Sequence, residues 1–325
     1  MSEENGIINA YAFTGSGRSE PIAGWPEVAA RWNGPDPVWL HLHLDNAEAD
    51  RWLKAQSGLD PIVVSTLGVE EPRPRCDVQG DGLIVVLRGV NLNPGADPED
   101  MISVRLWVDG RRIVSVRRQK LMAVDDIRGE IARGEAPRTT SEFLAMLAAR
   151  LVERMGPVLT DLDDRVDELE DILLTAPGHE VRTKLAAIRR EAIGLRRYIA
   201  PQREAMTRLI HHPPAWIGDL ERHRLREVGD QITRYVEDLD AIRERAAVMQ
   251  DEVGTRITEQ INRNMYVLSI VAAFFLPMGF VTGLLGINVG GLPGEGVSYA
   301  FIAVCVVLAA LAGLELWIFR RMKFL

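Results

Sequence analysis

Two stretches near the C-terminal end constrain the fold more than anything else in the chain. Met265 to Leu285 reads MYVLSIVAAFFLPMGFVTGLL, 21 residues without a charge. Tyr299 to Phe319 reads YAFIAVCVVLAALAGLELWIF, another 21, with Glu315 as its one charge. At 1.5 Å rise per residue, each helix is long enough to cross a hydrocarbon core of roughly 30 Å. A buried core helix is the bland alternative, but two such runs in tandem point to a pair of membrane spans.

The averages conceal this. The 325 residues carry a net charge of −8 and 47% hydrophobic residues, values typical of an acidic soluble protein. Residues 264–325 hold only Glu295, Glu315, Arg320, Arg321 and Lys323, so the remaining −9 lies on residues 1–263. Net −9 argues against a nucleic-acid binder, which needs clustered Lys and Arg. Two cysteines, Cys76 and Cys305, without CxxC spacing exclude a disulfide scaffold and a thiolate zinc site. The acidic N-terminus MSEENGIINA has no apolar core, so no secretory signal is expected.

The flanks orient the spans. Arg256 and Arg263 precede the first, and Arg320, Arg321 and Lys323 follow the second. The connecting loop, GINVGGLPGEGVS, has no base. The positive-inside rule then places both termini in the cytoplasm and the loop outside. The expected organisation is a cytoplasmic α/β domain over 1–140, and a helical hairpin with a stalk helix over 141–263. A transmembrane domain over 264–325 follows, with spans 265–285 and 299–319 around an external loop 286–298. Two helices cannot enclose an aqueous path, so transport would require several copies around an axis.

Within the first 140 residues, β-rich runs occur at Ile7–Phe13, Val38–Leu44, Leu83–Val90, Ile102–Val108 and Ile113–Arg117. Asp81-Gly82 and Asp109-Gly110 read as turns, the second joining a hairpin. Helices are expected at Pro26–Trp32, Ala47–Gln56, Pro61–Thr66 and Leu121–Arg133, and loops at Glu70–Arg75 and Asn91–Asp100. From Thr139 the pattern is helical: Ser141–Thr175 with an interruption near Gly156-Pro157, then a helix to His211, then one from Trp216. In the last, Leu225, Val228, Ile232, Tyr235, Leu239, Ile242, Ala246, Met249 and Val253 form a heptad seam. Continued into the first span, that helix would be about 100 Å long, either a solvent-spanning coiled coil or a rod coupling the cytoplasmic part to the membrane. Asp161 to Asp171 holds seven acids, facing a basic following helix (Arg182, Lys184, Arg189, Arg190, Arg196, Arg197, Arg203, Arg208). Interhelical pairing explains this; a cation-concentrating zone is the alternative.

Along the first span, Asn262, Met265, Ser269, Ala272, Leu276, Gly279, Gly283 and Gly286 recur at alternating spacings of three and four. Polar or small residues therefore share one face, as helix packing in lipid requires and as a pore lining requires. Pro277 suits either, because it frees a backbone carbonyl that a pore or a neighbour must satisfy.

Gly286-Ile287-Asn288 ends this helix, followed by Val289-Gly290-Gly291-Leu292-Pro293. Two C-terminal spans, a Gly-x-Asn at the end of the first and a short external loop resemble the CorA family of divalent-cation channels, whose usual triplet is Gly-Met-Asn. The Gly-Ile-Asn variant is similar to the ZntB-type zinc transporters of that superfamily. Asn262-Arg-Asn-Met-Tyr-Val-Leu-Ser, Phe275-Leu-Pro277 and Thr282-Gly-Leu-Leu-Gly also resemble its first span. The resemblance implies an α+β cytoplasmic domain, long helices and a two-helix transmembrane hairpin, assembled as a funnel-shaped homopentamer in a bacterial inner membrane. It implies that first spans line the pore and that Gly286 and Asn288 form its external entrance. Five Asn288 carbonyls would make a neutral ring for a hydrated cation, with room left by Gly286; the bland alternative for Asn288 is a helix C-cap.

Met265 and Leu276 are candidate constrictions, Leu268 a neighbouring lining residue, and Asn262 the cytoplasmic exit. Glu295 is the only charge on the external loop and a candidate cation attractor. Glu315 is a functional candidate or a partner for Arg320. His41-Leu42-His43-Leu44-Asp45 places two imidazoles and a carboxylate on one strand face, a metal-like spacing that needs further ligands. The transported ion is expected to be Zn²⁺, with Ni²⁺, Cd²⁺, Co²⁺ and Mg²⁺ as alternatives and no resident cofactor. A non-conducting membrane-anchored sensor is the reading from another class. No P-loop, GxSxG or HExxH is present, so an enzyme is not expected.

Overall fold

The computed structural model describes residues 5–173, 178–287 and 297–321. The chain divides into two compact units, Met1–Asp251 and Glu252–Leu325.

The first unit begins as a seven-stranded sheet. Its strands are β1 (Ile7–Phe13), β2 (Ser19–Pro21), β3 (Val38–His43), β4 (Arg75–Gln79), β5 (Gly82–Gly89), β6 (Ile102–Val108) and β7 (Arg112–Arg117). The spatial order is β2-β1-β3-β7-β6-β5-β4. All neighbours are antiparallel except β3 and β7, which pair in parallel from Val38–Arg112 to His43–Arg117. A parallel pair needs a long crossover, and here it includes two helices and three strands. The β6–β7 hairpin turns where the sequence places it. Asp109 ties the turn by accepting from the Arg111 and Arg112 backbone N–H groups at 2.8 and 2.7 Å. The β4–β5 turn falls one residue earlier than expected, on Gly80-Asp81, because Gly80 supplies the positive φ of 60° that a two-residue hairpin loop needs. Strand β4 itself begins at Arg75, inside the segment expected to be loop, and β2 was not expected.

Short helices α1 (Trp25–Arg31), α2 (Ala47–Ala55) and α3 (Pro61–Gly68) come next in the chain's first third. Asn46 caps α2 by accepting from the Glu48 and Ala49 N–H groups, and Asp60 caps α3 with Pro61 in its first turn. The core contains Val28, Trp32, Trp52, Leu53 and Leu67 together with Leu40, Leu42, Val114, Val116, Ile84 and Trp107 of the sheet. The alternate residues of β3, β7, β6 and β5 point to the opposite face, as the period of two demands. There α4 (Met122–Ala132) and α5 (Thr140–Glu153) contribute Leu121, Phe143 and Leu151 to packing against Phe13, Trp39 and Gly89.

Helix α6 (Gly156–Ile172) starts at the expected interruption, where Pro157 in its first turn cannot continue the ladder of α5. Helix α7 (Gly178–His211) carries Pro201 within it, and α8 runs without a break over Asp219–Leu285. The seam of α8 is buried at Leu225, Val228, Ile232, Leu239, Ile242, Ala246, Met249 and Val253. At one position it differs from expectation: Val236 is buried and Tyr235 is half-buried. The Tyr235 hydroxyl accepts from Gln231 at 2.7 Å and lies where a side chain on Gly156 would sit, 2.9 Å from its Cβ.

The acids of α6 find their main partner on α8. Arg245 reaches Asp163 at 3.1 Å, Glu170 at 2.7 Å, and Asp167. The α7 bases turn elsewhere: Arg196 forms a two-pronged bond to Asp240 of α8 at 2.7 and 3.1 Å. Between α6 and α7 the cross-helix ion pair runs the other way, from Arg165 to Glu191. Four of the seven acids, Asp161, Asp163, Asp167 and Glu170, are thus held in ion pairs at an exposed surface.

In the second unit, α8 continues to Leu285 and α9 covers Ala300–Arg321. Both helices contain windows apolar enough to cross a membrane, and no residue of those windows is buried within the chain.

Candidate ion path

The polar and small stripe of α8 occupies one face of a helix with nothing packed on it. Side chains built on Gly279 or Gly283 would meet no atom within 4 Å. Met265, Leu268 and Leu276 are exposed, Leu276 to 74%. Asn262, Ser269 and Ala272 are also exposed. Among the described residues, the small residues of the stripe therefore serve no helix contact inside one chain; the face is available to water, lipid or other copies.

Hydroxyls on this helix are turned inward to the backbone. Ser269 donates to the Met265 carbonyl at 2.8 Å, and Thr282 donates to Met278 and Gly279 at 3.0 and 3.1 Å. The helix closes at Gly286, whose N–H donates to Thr282 at 2.9 Å and to Gly283 at 3.2 Å. A Cβ on Gly286 would stand 3.1 Å from the Thr282 carbonyl, so glycine fits this closure best. Ile287 follows, exposed to 47%. Asn288 and Glu295 lie outside the described residues, as do the other residues of 288–296.

Glu315 of α9 makes no ion pair with Arg320; both carboxylate oxygens are buried without a hydrogen-bond partner among the described residues. Arg321 instead rests over the Trp317 ring at 5.3 Å.

His41 and His43 lie far along the sequence from this path, on β3. His41 is fully buried, its Nδ1 2.7 Å from the Ser115 hydroxyl, which also accepts from the Trp39 indole at 2.8 Å. Burial, helped by the Arg117 charge, pushes the His41 pKa down to about 3, so it is neutral. The His43 Nδ1 accepts from the Asp45 N–H at 3.3 Å. Among the described residues, no three His, Cys, Asp or Glu side chains converge as a metal site. His41 is a core residue held through Nδ1 by Ser115, while its Nε2 is buried without a hydrogen-bond partner among the described residues.

One polar feature escaped the sequence reading. Arg105 sits in mid-strand between Val104 and Leu106, and Arg88 between Leu87 and Gly89, both buried. A charge inside an apolar strand run is the signal that marks them.

The CorA-like Mg²⁺ transporter protein family matches residues 35–321. The divalent cation transporter CmaX of Pseudomonas aeruginosa is 38% identical over 99% of this chain and 98% of its own length. The zinc transport protein ZntB of Pectobacterium carotovorum is 36% identical over 99% of this chain and 97% of its own. The solved full-length CmaX structure superimposes with a TM-score of 0.86, at 38% identity over 99% of both chains. Two long apolar helices, a body built as above and matches along nearly the whole chain agree: the protein belongs to the CorA-like Mg²⁺ transporter family, whose members are divalent-cation transporters and not enzymes.

Proposed function

We propose that this protein carries Zn²⁺ into the bacterial cytoplasm as a homopentamer in the inner membrane, through an axial path lined by α8. Both termini are cytoplasmic in this reading, with Arg256 and Arg263 before the first span and Arg320 and Arg321 after the second. The observation that carries the proposal is the stripe from Asn262 to Gly286, which is exposed among the described residues. Five such stripes around an axis form a narrow lining of small and apolar side chains. Asn262 stands at the inner end and the Gly286-Ile287-Asn288 triplet at the outer end. Met265 and Leu276 narrow the path, and Leu268 flanks it. The Asn288 carbonyls hold a hydrated ion at the entrance through neutral oxygens, attractive enough to recruit it and weak enough to release it. Inward flow follows from the membrane potential, worth about 4.6 kcal/mol per 100 mV to a doubly charged ion.

Mg²⁺ or Co²⁺ is the second reading, favoured by the family description, which names Mg²⁺. Similarity to zinc transport proteins at 36% identity over nearly the full chain supports Zn²⁺. Metal flux into proteoliposomes decides between them. Zn²⁺ uptake exceeding Mg²⁺ uptake is expected, and Asn288→Ala reduces flux or selectivity while the oligomer stays intact. Faster Mg²⁺ flux would replace the ion; absence of any flux would leave a membrane-anchored sensor. Repeating the assay with a pH gradient tests coupling to protons.

A further inference from the structure

Arg88 and Arg105 are adjacent on one face of the sheet. Strands β5 and β6 pair Arg88 with Ser103 and Val86 with Arg105, so both arginines project to the same side. Both are buried, Arg88 to 5% exposure and Arg105 to 2%. Their circumstances otherwise differ completely. The Arg88 guanidinium donates to the Pro72 carbonyl at 3.3 Å and the Met101 carbonyl at 2.5 Å, and lies 3.9 Å over the Tyr198 ring. Every part of it has a partner.

The Arg105 guanidinium has no partner of this kind among the described residues. Its Nε and Nη1 are buried without a hydrogen-bond acceptor among the described residues, and no carboxylate pairs with it there. The nearby acids Asp45 and Glu70 are held by Arg118 at 3.2 and 3.1 Å. Burial, then the charges of Arg118 and Arg88, push the Arg105 pKa down to about 10, a value at which it stays protonated near neutral pH. A buried cation with donors unmet and like charges around it is strongly unfavourable unless something completes it.

Arg105 lines a cavity of about 540 Å³, whose other lining residues include Ser103, Arg118, Gln119, and Arg197 and Tyr198 of α7. Four arginines, Arg88, Arg105, Arg118 and Arg197, are among its lining residues, with three acids, Glu71, Glu99 and Asp100. Gly194 brings α7 against the loop after β5: a Cβ there would lie 2.9 Å from that of Glu99. We propose that this cavity is a binding site for a small phosphate-bearing anion, with the Arg105 fork as its central donor. A guanidinium matches phosphate oxygens in pairs, and the hydroxyl and amide nearby supply the uncharged donors such sites use. The volume exceeds that of a lone phosphate and lies within the range of small-molecule sites, so a mononucleotide fills it better than inorganic phosphate. The cavity is lined by residues of the first unit alone, and its test reads binding, not flux.

Thermal unfolding of the full chain in detergent, at constant ionic strength, provides the test. Inorganic phosphate and ATP are added separately, with chloride as the matched control. Both phosphates should raise Tm, ATP at lower concentration, and Arg105→Met should weaken each by about tenfold or more. Without ligand, Arg105→Met should be no less stable than the parent, because it removes an unpaired buried charge; a purely structural arginine would show the reverse. Should that variant fail to fold, the exposed Arg197→Gln takes its place, with a few-fold weakening expected. No rise with either phosphate, an equal rise with chloride, or unchanged affinity in the folded variant would overturn the site.

Discussion

The N-terminal unit and the C-terminal hairpin solve the problem of apolar surface in opposite ways. In the first, side chains such as Trp39, Leu106 and Phe143 are buried by the chain itself, and most buried polar groups meet partners within it. In the second, Leu276, Phe275 and Phe301 are exposed, and nothing in the spans' apolar windows is covered. Both kinds of sequence are rich in Leu, Val and Ala. The difference is that the body alternates apolar and charged residues at the period of its elements, whereas the hairpin is apolar all round. A helix of the latter kind is complete only with lipid or other helices against it.

The largest effect that separates the two regions is a cavity. Leu106→Ala removes a side chain with no exposure and should cost about 2–5 kcal/mol of stability. Leu276→Ala, at a residue 74% exposed, should cost about 0.5 kcal/mol or less in the unassembled protein. Chemical unfolding in detergent compares them. A large loss for Leu276→Ala that depends on protein concentration would place that residue in a contact between copies, and would sharpen the contrast.

Next comes the charge state of the buried sheet. His41 is neutral when folded, with its pKa depressed to about 3, and ordinary when unfolded. Below the unfolded pKa the unfolded chain binds the extra proton, so stability falls as pH drops from 6.5 toward 3. Between pH 7 and 5 this one residue should remove about 2 kcal/mol. His41→Gln should flatten that part of the stability profile relative to the parent; identical profiles would show that His41 is not held neutral.

How much of this was legible beforehand depended on where the information lay. The spans, the α6 start at Gly156-Pro157 and the β6–β7 hairpin follow from local rules: an uncharged run, a missing N–H, an Asp-Gly turn. Strand β4 was not legible, because RCDVQ has no strong alternation and is held mainly by pairing with β5 and contact with α7. Tyr235 fitted a heptad, but packing against Gly156 moved the buried position to Val236. Asn262 to Gly286 could be read as one face, yet whether that face packed on α9 was a tertiary question. Arg105 was hidden for the same reason: a sequence shows the charge but not whether a partner reaches it.

The pairing of α6 with α8 is a smaller matter. Arg245 holds three acids at a surface site, and their charges raise its pKa. Arg245→Met should cost about 1 kcal/mol or less, shrinking with added salt as exposed pairs do. A larger loss that ignores salt would mean that the arginine stem packs like the seam beside it.

The smallest expected effect belongs to the segment between the spans, where Glu295 is the only charge in the sequence. If cations approach from that side, Glu295→Gln reduces flux through steering alone, by a few-fold at low ionic strength and hardly at all near 1 M salt, where the screening length is about 3 Å. If Asn288 forms the proposed ring, Asn288→Ala should behave differently, because an ion held directly by that ring feels its loss at any salt concentration. Flux measured for both variants across a salt series therefore separates a group that attracts the ion from one that holds it. If Glu295→Gln proved independent of salt, the acid would belong to the binding ring, and the uncharged entrance proposed for this hairpin would have to be redrawn as a charged one.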